Sequence, residues 1–335
     1  MFPSLLVLAL ILLFNLIVQP DFLSIEIRDG RLFGGLITIL NRSVPVMLLA
    51  IGMTLVISTG GVDLSVGSVV AVSAAVALTL IRGDDVAPTA YTSMPIVWVV
   101  LISMSVGLFL GLWNGVLITK TGMPPVVATL VLMVAGRGLT QVITNERFVT
   151  VGYEPFRVIS GGHTLGLPNQ PWIALGIFLL VWFFTRRTAL GLFIETVGAN
   201  KSAATHAGIR SNVIIVVVYA ISGLCASIVG ILAASSVLVA DPTNTGLNME
   251  LSAIVAVVLG GTSMKGGKFN LGGSCVGAII LMALTQTMFF YGVPVEFSLA
   301  IQAIAIVIVV IIQSASAQKF VSSFFKSKKR EVLPQ

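Results

Sequence analysis

Charge is scarce in this chain. Only 10% of its 335 residues are Asp, Glu, Lys or Arg, and 56% are hydrophobic. A soluble domain carries about 25% charge. The shortage excludes a water-soluble globule and points to a polytopic membrane protein. Material for metal and redox chemistry is equally thin, with two cysteines and two histidines. Cys225 and Cys275 both lie in apolar runs, so neither a disulfide framework nor a metal site is implied. His163 and His206 fall in loops expected on opposite faces. No nucleophile–His–acid constellation is present, which argues against an enzyme. There is no P-loop (Gly-x4-Gly-Lys-Ser/Thr), so ATP is not bound here in that way. The first apolar run has no basic residues before it and no small-residue cleavage site after it. It reads as a retained span rather than a signal peptide.

What the sequence does have is apolar runs. Segments 2–18, 43–60, 66–81, 95–119, 126–143, 172–184, 213–239, 251–259, 271–291 and 297–312 read as about ten transmembrane helices, several of them short. The expected fold class is all-α, with residues 1–335 forming one transmembrane domain and no soluble domain. Lys and Arg set the orientation. With the N-terminus inside, 12 basic residues fall on the inner side and 7, including Arg137, Arg147 and Arg157, on the outer side. The acids run the other way. Both termini are therefore expected to be cytosolic, including a basic tail at 319–335. The net charge of +6 reflects this sorting and is no nucleic-acid signal.

Segment 186–212 is a polar island between two apolar runs, with Arg186, Arg187, Lys201 and Arg210 against one acid, Glu195. Two short helices suggest themselves in it. Gly198 is expected to break the chain, and Asn200 is a good N-cap for a small-residue helix over 201–207. Such a helix could dock into a groove of a partner, or the island could simply join two spans.

Candidate pathway residues are few. Asp63 follows a glycine pair at the start of the third span and could cap that helix or serve as a gate. Asn114, Gln286 and Gln302 lie inside spans, where an amide bonds either a neighbouring helix or a ligand. Asp63-Leu64-Ser65 and Glu250-Leu251-Ser252 open the third and eighth spans, each after a Thr-Gly pair. An inverted repeat of spans 2–5 and 7–10 would produce this echo. Both acids would also suit the first turn of a helix.

Four blocks carry a resemblance. Residues 60–68 (GGVDLSVGS), Val127-Ala128-Thr129-Leu130 with Gly136-Arg137-Gly138, Val197-Gly198-Ala199-Asn200 to Ala207-Gly208-Ile209, and 250–263 (ELSAIVAVVLGGTS) with Gly266-Gly267 together resemble the ribose/galactose-type permeases of sugar ABC importers. The run Asp29-Gly30-Arg31-Leu32-Phe33-Gly34 with Ile39-Leu40-Asn41-Arg42 is similar to permease subunits of bacterial galactofuranose importers. Val62 and Ser252 stand where many relatives have Ile and Asp. The resemblance implies a bacterial inner-membrane subunit that passes a monosaccharide inward. It implies a second permease chain, identical or different, an ABC ATPase that carries ATP and Mg, and a periplasmic sugar-binding protein. No cofactor or metal is expected on this chain, and its surroundings are membrane lipid. The loop docking on the ATPase would map to Glu195, Gly198, Asn200 and Gly208, with a small-residue face of Ala203, Ala204 and Ala207. Arg147 and Arg157, on the largest outer loop, would meet the binding protein. Asp63, Ser65, Asn114, Glu250, Gln286 and Gln302 are the pathway candidates. A channel or facilitator working alone is the rival reading.

Overall fold

The computed structural model describes residues 2–18, 24–28, 30–82 and 94–294, with 297, 300, 303, 304 and 307 beyond them. Helices dominate. They are α1 (Phe2–Val18), α2 (Gly35–Ser58), α3 (Val66–Arg82), α4 (Ile96–Thr121), α5 (Pro125–Thr144), α6 (Glu154–Gly161), α7 (Asn169–Arg187), α8 (Ala189–Ala199), α9 (Lys201–His206), α10 (Ser211–Val237), α11 (Met249–Leu259) and α12 (Leu271–Phe290). Five of them, α2, α4, α5, α10 and α12, are long and apolar enough to cross a membrane. The number is six if α7 and α8, bent by 76°, count as one span. Helices α1, α3 and α11 are apolar but shorter. The protein is therefore an all-α polytopic membrane protein. The segment 297–312 and the basic tail lie largely or wholly outside the described residues, as does Gln302.

Helix α10 is the axis of the bundle. It packs against α4, α3 and α2. Its contact with α4 is made by glycine. Gly107, Gly111 and Gly115 recur every four residues and share one face. A Cβ on Gly111 would meet the Tyr219 carbonyl oxygen at 2.3 Å, and one on Gly223 would meet the Gly107 carbonyl oxygen at 2.3 Å. Lipid offers helices no hydrophobic drive to associate, so close backbone packing of small residues supplies the attraction.

Helix α11 has 11 residues. That is roughly 16 Å of rise, about half the hydrocarbon thickness. The starts of α3 and α11 abut. A Cβ on Gly67 would meet the Glu250 Oε2 at 2.2 Å and the Gly246 carbonyl oxygen at 2.4 Å. Two short helices thus begin against each other, each just after a non-helical stretch.

Among the described residues, three small β elements lie between the helices. Strands β1 (Ile25–Arg28) and β2 (Arg31–Gly34) form a hairpin, Ile25 opposite Gly34. Gly30 at its turn has φ 72°, which glycine adopts without strain. Strands β4 (His163–Thr164) and β5 (Leu167–Pro168) form a second hairpin. Strand β3 (Val149–Thr150) pairs with β6 (Val239–Ala240).

Several expectations are corrected here. Segment 19–42 is not all loop, because α2 starts at Gly35 and its first two turns carry Asn41 and Arg42. Arg137, counted above with the outer-side basic residues, stands within α5 and is partly enclosed. Gly198 does not break the chain. It sits inside α8, where a Cβ would meet the Ser58 carbonyl oxygen at 1.7 Å. The glycine permits close approach rather than a turn.

Candidate functional site

Most of the candidate residues fall in three places. The first is the junction between α2 and α3. Helix α2 ends at Ser58, and residues 59–65 lead into α3 through a left-handed Gly60, φ 80°. Asp63 is 1% exposed. Its Oδ1 accepts from the Ser65 amide at 3.1 Å and the Ser65 hydroxyl at 2.6 Å. Its Oδ2 accepts from the Ser222 hydroxyl of α10 at 2.8 Å. Asn114 of α4 donates to Ser65 Oγ at 2.8 Å. The Tyr219 hydroxyl of α10 donates to the Val62 carbonyl at 3.2 Å. One carboxylate thus organises the broken segment and ties it to α10, while Ser65 extends the network to α4. It does not occupy the cap position itself. The first helical bond of α3, from the Val69 amide, is accepted by the Ser65 carbonyl. Asp63 instead folds the two residues before the helix onto themselves. The Asn114 Oδ1 is buried and unpaired.

The second is at the start of α11. Arg137 Nη1 of α5 donates to the Thr245 carbonyl, and Arg137 and Glu250 attract each other electrostatically. Glu250 is 4% exposed and lies over Gly67 of α3. A charged pair within apolar helices is costly and faces protein rather than lipid.

The third is the 186–212 segment. Thr188 caps α8, accepting from the Leu190 amide at 3.2 Å. Asn200 caps α9, accepting from the Ala203 amide at 3.0 Å. Gly208, φ 85°, closes α9. This segment packs on the end of α2 through Gly198. The Ser58 carbonyl accepts from the Gly267 amide at 3.0 Å and also lies against Gly198. Ala203 and Ala207 are exposed, but Ala204 is 1% exposed, packed with Ile194, Val197 and Ile215. The three alanines do not form one outward face. Positions 203 and 207 share a face and 204 turns inward. Glu195 is half-buried in α8.

The other candidates are scattered. Gln286 lies in α12 with a buried, unpaired Oε1. Arg147 is exposed after α5, and Arg157 of α6 pairs with Glu154 at 3.3 Å on the surface. Among the described residues no group of three or more His, Cys, Asp or Glu could hold a metal.

A family described as branched-chain amino acid transport system / permease component matches residues 35–310. The chain belongs to this permease family. It is 45% identical to a galactofuranose transporter permease of Escherichia coli, over 96% of this chain and 90% of that one. It is 42% identical to a fructose import permease of Bifidobacterium longum, over 89% and 83%. A ribose import permease of Escherichia coli is 35% identical over 89% and 88%. No solved structure matches. These relatives are transport permeases, not enzymes.

Sequence reasoning missed several residues of this candidate site. Ser222 and Tyr219 complete the Asp63 network, yet an isolated Ser or Tyr in an apolar run carries no pattern. Ser58 matters through its backbone carbonyl, which no side-chain pattern reports. Arg137 is legible in retrospect, since it falls inside the long apolar run 126–143, where an Arg belongs to a helix.

Proposed function

We propose that this chain is the permease subunit of an ATP-driven importer, passing a monosaccharide from the periplasm to the cytoplasm. The observation that carries this is the similarity along nearly the whole chain to sugar permeases, at 35–45% identity. The family's description speaks of amino acids, but the relatives at 45% and 42% identity are permeases for galactofuranose and fructose. Galactofuranose or a related hexose or pentose is the favoured cargo. The partners are an ABC ATPase holding ATP and Mg, a periplasmic sugar-binding protein and a second permease chain, identical or different. Transport proceeds by alternating access, with ATPase closure moving the docked loop and reorienting the helices. The decisive experiment is reconstitution with and without the ATPase. Sugar uptake that requires ATP supports the reading. Equal flux through the permease alone would make it a facilitator.

The proposed topology has ten spans in one domain, comprising α1–α5, α7, α10–α12 and segment 297–312, in the bacterial inner membrane. Both termini and 186–212 are cytosolic. The short α3 and α11, each opening after a broken stretch, support an inverted repeat of spans 2–5 and 7–10. In a cysteine-free background, Lys201→Cys is expected to resist a membrane-impermeant maleimide in intact cells and to react in inverted vesicles. Labelling from outside would invert the topology.

On the outer side, Arg147 and Arg157 stand exposed and face acids on the binding protein. Reversing both charges is expected to weaken docking more at low salt than at high salt. Exposed pairs are screened over about 8 Å at physiological ionic strength. Docking that is unchanged at every salt concentration would remove them from the interface. Asp63, Ser65, Asn114, Glu250, Gln286 and Gln302 remain the proposed pathway set. The first four cluster at the two broken-helix starts, which supports their place in it.

A further inference from the structure

A cavity of about 250 Å³ lies between the first turns of α2, the β1–β2 hairpin, the end of α6 and the β4–β5 hairpin. It is small beside the roughly 300–1,000 Å³ of drug-sized sites. One sugar ring is the scale of ligand that suits it. Its walls are mixed. Thr38, Asn41 and Arg42 come from one face of α2, being three and four residues apart. Phe33 and His163 come from the two hairpins, with ring centroids 6.2 Å apart and planes tilted by 47°.

The Asn41 carboxamide oxygen is buried and has no hydrogen-bond partner. Buried polar groups in folded proteins are nearly always paired, so an orphan lining a cavity marks a missing partner. The Thr38 hydroxyl donates to the Gly34 carbonyl at 3.0 Å, which leaves its lone pairs free to accept. The Ser160 hydroxyl is engaged by Gln170 and takes no part. Among the described residues no carboxylate lines the cavity.

We infer that this cavity is an outer-side binding site for a neutral monosaccharide, which occupies it on its way into the permease. A carboxamide presents a donor and an acceptor side by side, matching two neighbouring hydroxyls on a ring. The Thr38 oxygen accepts a third hydroxyl, and Arg42 donates from the rim. Phe33 offers an apolar face to the C–H side of the sugar. The inference rests on the proposed sugar import and adds a site on the permease itself, distinct from any on the binding protein.

The test is direct binding to the full chain, purified with its ATPase in nanodiscs and without nucleotide. The probes are D-galactose, D-fructose, D-ribose, D-galacturonate and L-leucine, read by saturation-transfer NMR. At least one neutral sugar is expected to bind. Asn41→Leu and Thr38→Val are each expected to weaken it at least tenfold, with thermal stability unchanged or raised. In proteoliposomes, Asn41→Leu should slow uptake of the cognate sugar while half-maximal ATPase stimulation occurs at the same concentration of loaded binding protein. No neutral sugar bound, in a complex that still takes up sugar, would overturn the site and leave the import reading intact. Galacturonate bound tightly and lost only in Arg42→Gln would make it an anion site instead, and leucine bound in preference would also overturn it. A rise in the binding-protein concentration needed, with sugar binding intact, would make the cavity a protein contact and sink the inference.

Discussion

Asp63→Ala is expected to lower the stability of the permease by about 2–4 kcal/mol, since each buried polar group left unpaired costs about 1–3 kcal/mol. The substitution strands the Ser65 amide and hydroxyl and the Ser222 hydroxyl, all of which end on this carboxylate. It also frees residues 59–65 from α10, so the junction between α2 and α3 loosens with the core. Asp63→Asn should cost much less, about 1 kcal/mol. The amide oxygen still accepts from Ser65. The Ser222 hydroxyl can turn round and accept from the new amide nitrogen. Thermal unfolding in detergent separates the variants, alongside uptake in proteoliposomes normalised to folded protein. An alanine variant as stable as the parent, yet without transport, would show that Asp63 acts as a gate and not as a structural tie.

The legibility of this molecule in its sequence varies with the kind of interaction. Apolar runs and the bias of Lys and Arg reveal a polytopic helical protein because lipid demands both. Asn200 is legible as a cap because its amide completes a local bond, three residues on. Asp63 and Glu250 stand out because a carboxylate beside an apolar run needs an explanation. The alanine face was not legible. Spacing places Ala203, Ala204 and Ala207 near one another on a helix, but only the packing of α9 on α8 and α10 decides which side faces in. Gly198 shows the same limit. A glycine that turns the chain and a glycine that admits a neighbouring backbone look identical in sequence. The neighbour here is Ser58, 140 residues away. The start of α2 is obscured in the sequence for a third reason. Asn41 and Arg42 are polar enough to suggest a loop, but they line a cavity on the helix.

Ala203→Trp and Ala207→Trp are expected to abolish ATPase association while the permease folds and inserts normally. Ala203 in α9 and Ala207 at its C-cap are both exposed, so indole bulk there would meet a docked partner rather than this chain. A tenfold or greater loss of affinity, about 1.4 kcal/mol or more, should appear as failed co-purification. Stimulation of ATP hydrolysis by loaded binding protein should fall with it. Ala204→Trp is the contrasting control. Its site is 1% exposed, and overpacking a well-filled core costs typically 1–3 kcal/mol. That variant should lose thermal stability, so any loss of partner there says nothing about docking. Lys201→Ala should change little, because an exposed ion pair is worth about 0–1 kcal/mol. The loop is placed to transmit a push. Gly198 and Gly267 both rest on the Ser58 carbonyl, and the chain runs from Ser58 through residues 59–62 to Asp63. On the proposed docking, a displacement of α8 and α9 by the ATPase would reach the broken start of α3 through backbone contact, without passing through flexible side chains. Tryptophan at 203 and at 207 that leaves both the partner and the stimulation intact would reduce the segment to a connector between α7 and α10.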